Sequence, residues 1–234
     1  MTTRVEVDER RFLRTGVAEA IYAPGKTAHE IAHVARRLAA ARREAGEDSE
    51  WPILATRVDP ELVVNVEAEL SQEGGDARLS YDAEGRILEL FPPRDRTAIG
   101  PAVVLAAGTT DRGPASEAAT VLRAYGAEVA RFDDVGVAGL HRLLDPAKLG
   151  ALERAKAIVV VAGMDGALPT VVAGLVRAPV IGVPSPVGYG VAAGGHAALQ
   201  TMLASCAPGL AVVNIDNGFG AAALAVKVLR GARG

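Results

Sequence analysis

Two patterns of hydrophobic spacing divide this 234-residue chain. In the first part, Lys26 to Ala45 carries Ile31, Val34, Ala35 and Leu38 on one helical face, which predicts an amphipathic helix. Trp51 to Val58 reads as a strand. Asp59-Pro60 then opens a second helix, with Asp as N-cap and Pro at the first helical position. Ala77–Tyr81 and Arg86–Phe91 predict two short strands around the turn Asp82-Ala83-Glu84-Gly85. Pro92-Pro93-Arg94-Asp95-Arg96-Thr97 follows as a linker, since Pro-Pro continues neither a helix nor a central strand.

Beyond the linker the pattern changes to short, mostly apolar runs: Ala102–Ala107, Glu128–Phe132, Ala157–Ala162, Val180–Val183 and Leu210–Ile215. Strands apolar on both faces belong in a parallel sheet covered by helices on both sides. Helices are expected at Pro114–Tyr125, Leu140–Leu149, Leu168–Val176, Gly195–Ser205 and Phe219–Arg230. The fold class is therefore α/β. A doubly wound parallel sheet occupies residues 98–234, and a smaller α/β domain with its linker occupies residues 1–97.

Charge sharpens this division. Residues 1–97 hold 33 charged side chains, residues 98–150 hold 11 and residues 151–234 hold 9, which predicts a solvated first part and a largely buried last part. The net charge, 25 − 28 = −3, supplies no basic footprint for nucleic acid. One cysteine excludes an intramolecular disulfide framework and fits a reducing cytoplasm. No signal-peptide pattern and no apolar run of membrane-spanning length is evident.

Ligands of open α/β sheets bind beyond the carboxyl ends of the strands, so the glycine-rich loops there are the candidate site. Gly108-Thr109-Thr110-Asp111 combines close backbone approach, two hydroxyls and a following helix N-terminus, and reads as a phosphate cradle or as a well-capped turn. It is neither a Walker loop nor the G-x-G-x-x-G fingerprint. Ser185 to Gly195, with Gly188, Tyr189 and Gly190, has the length and glycine content of a binding loop. Asn214, Asp216 and Asn217 add polar groups at the last strand end, of which helix capping explains one. His141 with Arg142 lies in another strand-end loop. His29 and His33, at i and i+4, lack an evident third metal ligand and read as a solvated face, so no metal site is assigned. Cys206 sits where a helix ends. No lysine or arginine adjoins it and the helix C-terminus has the wrong polarity to favour a thiolate, so local physics describes an inert, small, apolar residue.

Taken together, the loops resemble a known family. Val103–Asp111, Asp134–Arg142, Val160–Pro169, Pro179–Gly190 and Val213–Ala222 are similar to LarB, the carboxylase/hydrolase of nickel-pincer nucleotide biosynthesis. Arg14-Thr15-Gly16, Ile21-Tyr22 and Gly25-Lys26-Thr27 resemble its N-terminal region. The C-terminal domain is also similar, more distantly, to the aminoimidazole ribonucleotide (AIR) carboxylase/mutase of purine synthesis, the PurE type. The resemblance implies a PurE-like doubly wound domain, a homo-octamer and a substrate, nicotinic acid adenine dinucleotide. It implies carboxylation at the pyridinium C5 by CO2 or bicarbonate and release of AMP, with the product passing to downstream cofactor-assembly enzymes. No tightly bound cofactor is implied; a divalent ion such as Mg2+ could polarise the pyrophosphate, though no ligand cluster demands one.

Residue by residue, the resemblance makes Cys206 the covalent catalyst and Asp165, where the family has Glu, the proton acceptor. Gly108, Thr109, Thr110 and Asp111 would hold the ribose phosphate. His141 and Arg142 would lie near phosphate or nicotinate carboxylate. Ser185, Gly188, Tyr189, Gly190, Asn214, Asp216 and Asn217 would close over the ring. Two other readings stand beside this one: a purine-type AIR carboxylase/mutase, which needs no thiol, and a nucleotide-binding module without turnover.

Overall fold

The computed structural model describes residues 6–46, 51–71 and 78–231. The chain forms two compact units, residues 1–97 and 98–234. In the first, α1 (Arg11–Thr15) leads through Gly16, at φ +76°, into β1 (Ala20–Tyr22). A capping box then starts α2 (Ala28–Glu44): Thr27 Oγ1 accepts the Glu30 N–H at 3.2 Å, and Glu30 Oε2 accepts the Thr27 N–H at 2.8 Å. That backbone donor holds the Glu30 carboxyl below the usual carboxylate range. Ile31, Val34, Ala35 and Leu38 form the buried face of α2, as their spacing predicts.

β2 (Ile53–Thr56), α3 (Pro60–Ser71), β3 (Leu79–Asp82) and β4 (Ile87–Leu90) complete this unit. Its sheet has the order β1-β2-β4-β3, with β1 parallel to β2 and the other pairs antiparallel. The strand predicted at 77–81 is described from Arg78 onward and forms from Leu79; Ala77 lies outside the described residues. α1 and β1 escape sequence reading because five and three residues are too few to show a period.

The second unit is built on five parallel strands: β5 (Gly100–Ala106), β6 (Ala127–Phe132), β7 (Ala157–Ala162), β8 (Val180–Pro184) and β9 (Leu210–Val212). Their order is β6-β5-β7-β8-β9. The chain thus leaves β5 to one side for β6 and returns to its other side for β7, which creates a switch point at their carboxyl ends. Every residue of β7 is buried, because helices cover both faces. α4 (Arg112–Ala124) and α8 (Gly218–Gly231) pack on one face; α5 (Pro146–Arg154), α6 (Leu168–Ala173) and α7 (His196–Leu203) pack on the other.

Two elements differ from expectation. The helix expected at 140–149 divides into a 3₁₀ segment, Val137–Arg142, and α5. Asp145-Pro146 causes the restart: the Asp145 carboxylate accepts the N–H groups of Ala147 and Lys148 at 3.1 and 3.3 Å, with Pro at the first turn. β9 ends at Val212 rather than Ile215 because the chain turns at Asp216, φ +56°, whose N–H donates to the Pro184 carbonyl at 2.8 Å. Among the described residues no helix is long and apolar enough to cross a membrane.

Glycine sets the approach of α8 to α4. A Cβ on Gly218 would lie 2.2 Å from the Pro114 carbonyl oxygen and 2.8 Å from Glu117 Oε2. Gly218→Ala should therefore destabilise the protein by about 1–3 kcal/mol, the usual range for overpacking. Urea unfolding checks this: the midpoint should fall, and an unchanged midpoint would mean that the helices part at little cost.

Candidate active site

A pocket of about 210 Å³ opens at the switch point. Ala107, Gly108, Thr110 and Asp111 come from the loop after β5, and Gly136, Val137 and Ala138 from the loop after β6. Gly163, Met164, Asp165, Ala167 and Leu168 follow β7, and Val187 follows β8. The walls interlock through backbone. The Met164 N–H donates to the Val187 carbonyl at 2.9 Å, and a Cβ on Gly163 would stand 2.4 Å from that same oxygen. Gly136 is as constrained, with its Cβ position 2.8 Å from the Ala107 carbonyl oxygen. Larger residues at either position would force these loops apart.

Asp111 is the chemical centre of the pocket. It is 4% exposed, and its Oδ2 accepts the Gly108 N–H at 2.9 Å. Its Oδ1 is buried without a hydrogen-bond partner. Gly163 leaves room for this oxygen, which lies 3.2 Å from where a Cβ would be. Burying an unpaired carboxylate oxygen is costly, so such an atom marks a place where a ligand donor is missing. The required donor is a hydroxyl or another N–H or O–H group; a phosphate oxygen would be repelled.

The other expected residues are distributed unevenly. Gly108, Thr110, Asp111 and Asp165 line the pocket, while Thr109 is exposed on the 3₁₀ turn that precedes α4. Asp165 is exposed, and its Oδ1 accepts the Ala167 N–H at 3.3 Å. Arg142 is held beside the β6 loop by an ion pair with Asp134, and its guanidinium lies over Gly139; His141 is exposed next to it. Ser185 is fully buried, and its Oγ accepts the Val187 N–H at 3.3 Å, which shapes a pocket wall from behind. Gly188 packs so closely that its Cβ would meet the Ala192 carbonyl oxygen at 2.4 Å, whereas Tyr189 is 78% exposed and Gly190 turns at φ +57°.

Asn214 is exposed and accepts the Ile215 N–H at 2.9 Å; Asn217 Oδ1 accepts the Gly220 N–H at 2.8 Å within the first turn of α8. Asp216 occupies the positive-φ turn between them. None of the three is in the pocket lining. Gly136, Gly163 and Val187 line the pocket without having been singled out, although each lay in a segment carrying the family resemblance. Their signal was backbone proximity, which a sequence shows only as glycine.

Cys206 departs furthest from the local sequence reading. Helix α7 ends at Leu203, and the thiol is exposed in the turn that follows rather than buried as a small apolar residue. The turn is tied down by its neighbour, since Thr170 Oγ1 donates to Ser205 Oγ at 2.9 Å. Cys206 does not line the pocket of its own chain.

A larger hollow of about 670 Å³ lies in the first unit beside Arg10, Arg14 and Trp51, but ion pairs occupy its charged rim: Arg14 with Asp8 and Glu9 with Arg37, each at 2.6 Å. The carboxyl-end pocket, with its unpaired oxygen, is thus the candidate site. Among the described residues no group of three or more His, Cys, Asp or Glu is placed to hold a metal ion.

Fold and pocket together define an α/β protein of the class whose ligand sites lie at a topological switch point. The comparisons with known proteins narrow the class. Residues 102–233 match the AIR carboxylase family model, and residues 2–91 match the LarB/PurE-like N-terminal domain. The chain belongs to this LarB/PurE family of carboxylase-type enzymes. It is 39% identical over 223 residues to an uncharacterized protein of Methanocaldococcus jannaschii, a match covering 95% of this chain and 82% of that one.

Removing the orphan carboxylate tests the pocket. Asp111→Ala should weaken binding of nicotinic acid adenine dinucleotide, the substrate that the family resemblance implies, by roughly 10- to 100-fold, the scale of one charged hydrogen bond. Calorimetric titration measures this, with the urea midpoint as a control on folding. Unchanged affinity in the folded variant would move the ligand elsewhere.

Proposed function

We propose that this protein carboxylates the pyridinium C5 of nicotinic acid adenine dinucleotide with CO2 and hydrolyses the phosphoanhydride. The products are pyridinium-3,5-biscarboxylic acid mononucleotide and AMP. The observation that carries the reading is Cys206: an exposed thiol in an AIR carboxylase-type domain that follows a LarB/PurE-like N-terminal domain. The purine reaction on the same scaffold uses no thiol.

The chemistry explains why a thiol is needed. A pyridinium carbon is electrophilic and does not attack CO2. Addition of the Cys206 thiolate to a ring carbon next to C5 forms a C–S bond and moves a ring electron pair toward nitrogen, giving a neutral dihydropyridine. Its enamine-like C5 then attacks CO2. Asp165, on the pocket wall, takes the C5 proton, and departure of the thiolate restores the aromatic cation. The thiolate is regenerated and no oxidant is consumed.

The pocket supports this assignment while revising one role. Gly108, Thr109 and Thr110, ahead of α4, suit the ribose phosphate through backbone and hydroxyl donors. Asp111, an acceptor, instead takes a ribose hydroxyl onto its unpaired Oδ1. His141 and Arg142 lie beside the β6 loop that forms the pocket wall and are assigned to the phosphates or the nicotinate carboxylate. The loop of residues 185–190 and the turn of residues 214–217 would close over the ring.

Incubation with nicotinic acid adenine dinucleotide and bicarbonate, followed by mass spectrometry, tests the function. AMP and the dicarboxylated mononucleotide are expected, and Cys206→Ser should reduce their formation by about three orders of magnitude or more, as loss of a nucleophile does. Turnover of aminoimidazole ribonucleotide in place of the dinucleotide would establish the purine reaction instead.

A further inference from the structure

We propose that Thr170 and Ser205 are positioning residues for the Cys206 thiol, their hydroxyls fixing the direction of the sulfur before it attacks the ring. The inference rests on the reading above, in which the Cys206 thiolate adds to a bound pyridinium.

The turn that carries the thiol has little backbone bonding to hold it. The Ala204 N–H donates to the Gln200 carbonyl at 2.9 Å and the Ser205 N–H to the Met202 carbonyl at 3.3 Å, and there α7 ends. The next main-chain tie is at Gly209, whose carbonyl accepts the Val180 N–H at 3.0 Å. Between these anchors stand Cys206, Ala207 and Pro208. Among the described residues none of the three shares a hydrogen bond with another backbone group. Pro208 has no N–H to offer, and Gly209 turns at φ +87°. Without a further constraint the thiol would ride on a loose segment.

Ser205 supplies that constraint. Its Oγ accepts the Ala207 N–H at 3.2 Å, so one side chain spans Cys206 and closes a ring around its backbone. The same oxygen accepts the Thr170 hydroxyl at 2.9 Å. The second bond occupies the remaining acceptor site of that oxygen and selects one Ser205 rotamer. Burial reports the result: Ser205 and Ala207 are half-buried, whereas Cys206 between them is exposed. Ala207 packs against the apolar cluster beneath the helices. Its two neighbours thus face the protein, and the thiol is turned outward.

Thr170 refers this turn to a rigid element. It lies on α6, where Leu168, Pro169, Val172 and Ala173 are buried. Ala167 and Leu168, just ahead of it, line the pocket. Neither Thr170 nor Ser205 is in that lining, so the two hydroxyls act on the thiol and leave the bound nucleotide alone. Carbon–sulfur bond formation needs the sulfur held along one approach, and a misplacement of about 1 Å costs roughly 100-fold in rate. Loss of the clasp should therefore appear in turnover and spare binding.

Steady-state carboxylation of nicotinic acid adenine dinucleotide by full-length variants tests this. Thr170→Val removes the hydroxyl while keeping the side-chain outline. It should lower kcat by roughly 10- to 100-fold and leave KM within about twofold. Thr170→Ser, which restores the donor, should return kcat to within about threefold of wild type. Ser205→Ala removes both bonds and should show the same split as Thr170→Val. Hydrogen exchange read by mass spectrometry follows the clasp itself: the Ala207 amide should exchange faster in Thr170→Val and at the wild-type rate in Thr170→Ser.

An unchanged kcat in Thr170→Val and Ser205→Ala, a rise in KM in place of the fall in kcat, a Thr170→Ser enzyme as slow as Thr170→Val, or an Ala207 amide indifferent to Thr170→Val would each overturn the inference. Those results leave the proposed function standing as long as the wild type turns over and Cys206→Ser does not. A wild type inactive on the dinucleotide, or an active Cys206→Ser enzyme, would overturn both.

Discussion

The directionality of one parallel sheet governs the rest of this structure. β7 is buried along its whole length beneath helices on both faces, as in all-parallel sheets, and every strand of its sheet runs the same way. All strands then end on one side. Their carboxyl ends deliver the glycine-rich loops to the switch point, and their amino ends receive the chain from the helices. A group placed after a strand belongs to the pocket, whereas a group placed before one is carried to the far side. Asp111 and Asp165 fall in the first category and Cys206 in the second.

Much of this architecture was legible because burial on both faces leaves an unmistakable record. Runs such as Ala157–Ala162 contain no polar residue, and the break at Pro92-Pro93 separates them from the charged first unit. Short elements were not legible: β1 spans three residues and gains its place by pairing with β2, a nonlocal interaction. The end of β9 was hidden for another reason, because the apolar residues Val213 and Ile215 continue past the turn that Asp216 makes.

The site was legible in part. Gly108 and Asp111 announced a strand-end loop that reads as a phosphate cradle or as a well-capped turn, and only three-dimensional placement shows that the Asp111 Oδ1 lacks a donor. Cys206 was misread on local grounds. The lack of an adjoining lysine or arginine and the polarity of the helix end described an inert, small, apolar residue, yet the thiol lies on the surface, as does Leu203. The uncharged stretch from residue 178 to residue 215 is divided: β8 within it is buried, whereas Tyr189, Val191 and Leu203 lie on the surface.

These features meet in a single chemical claim: that a protein thiol converts the electrophilic C5 of a bound pyridinium into a nucleophile. Proton NMR of nicotinic acid adenine dinucleotide with the enzyme in D2O, without bicarbonate, tests that claim most directly. The thiolate adduct should let C5 take up a deuteron and lose its proton, so the C5–H signal should decay while the C2–H signal persists. A C5–H signal that stays constant with the dinucleotide bound would contradict the mechanism.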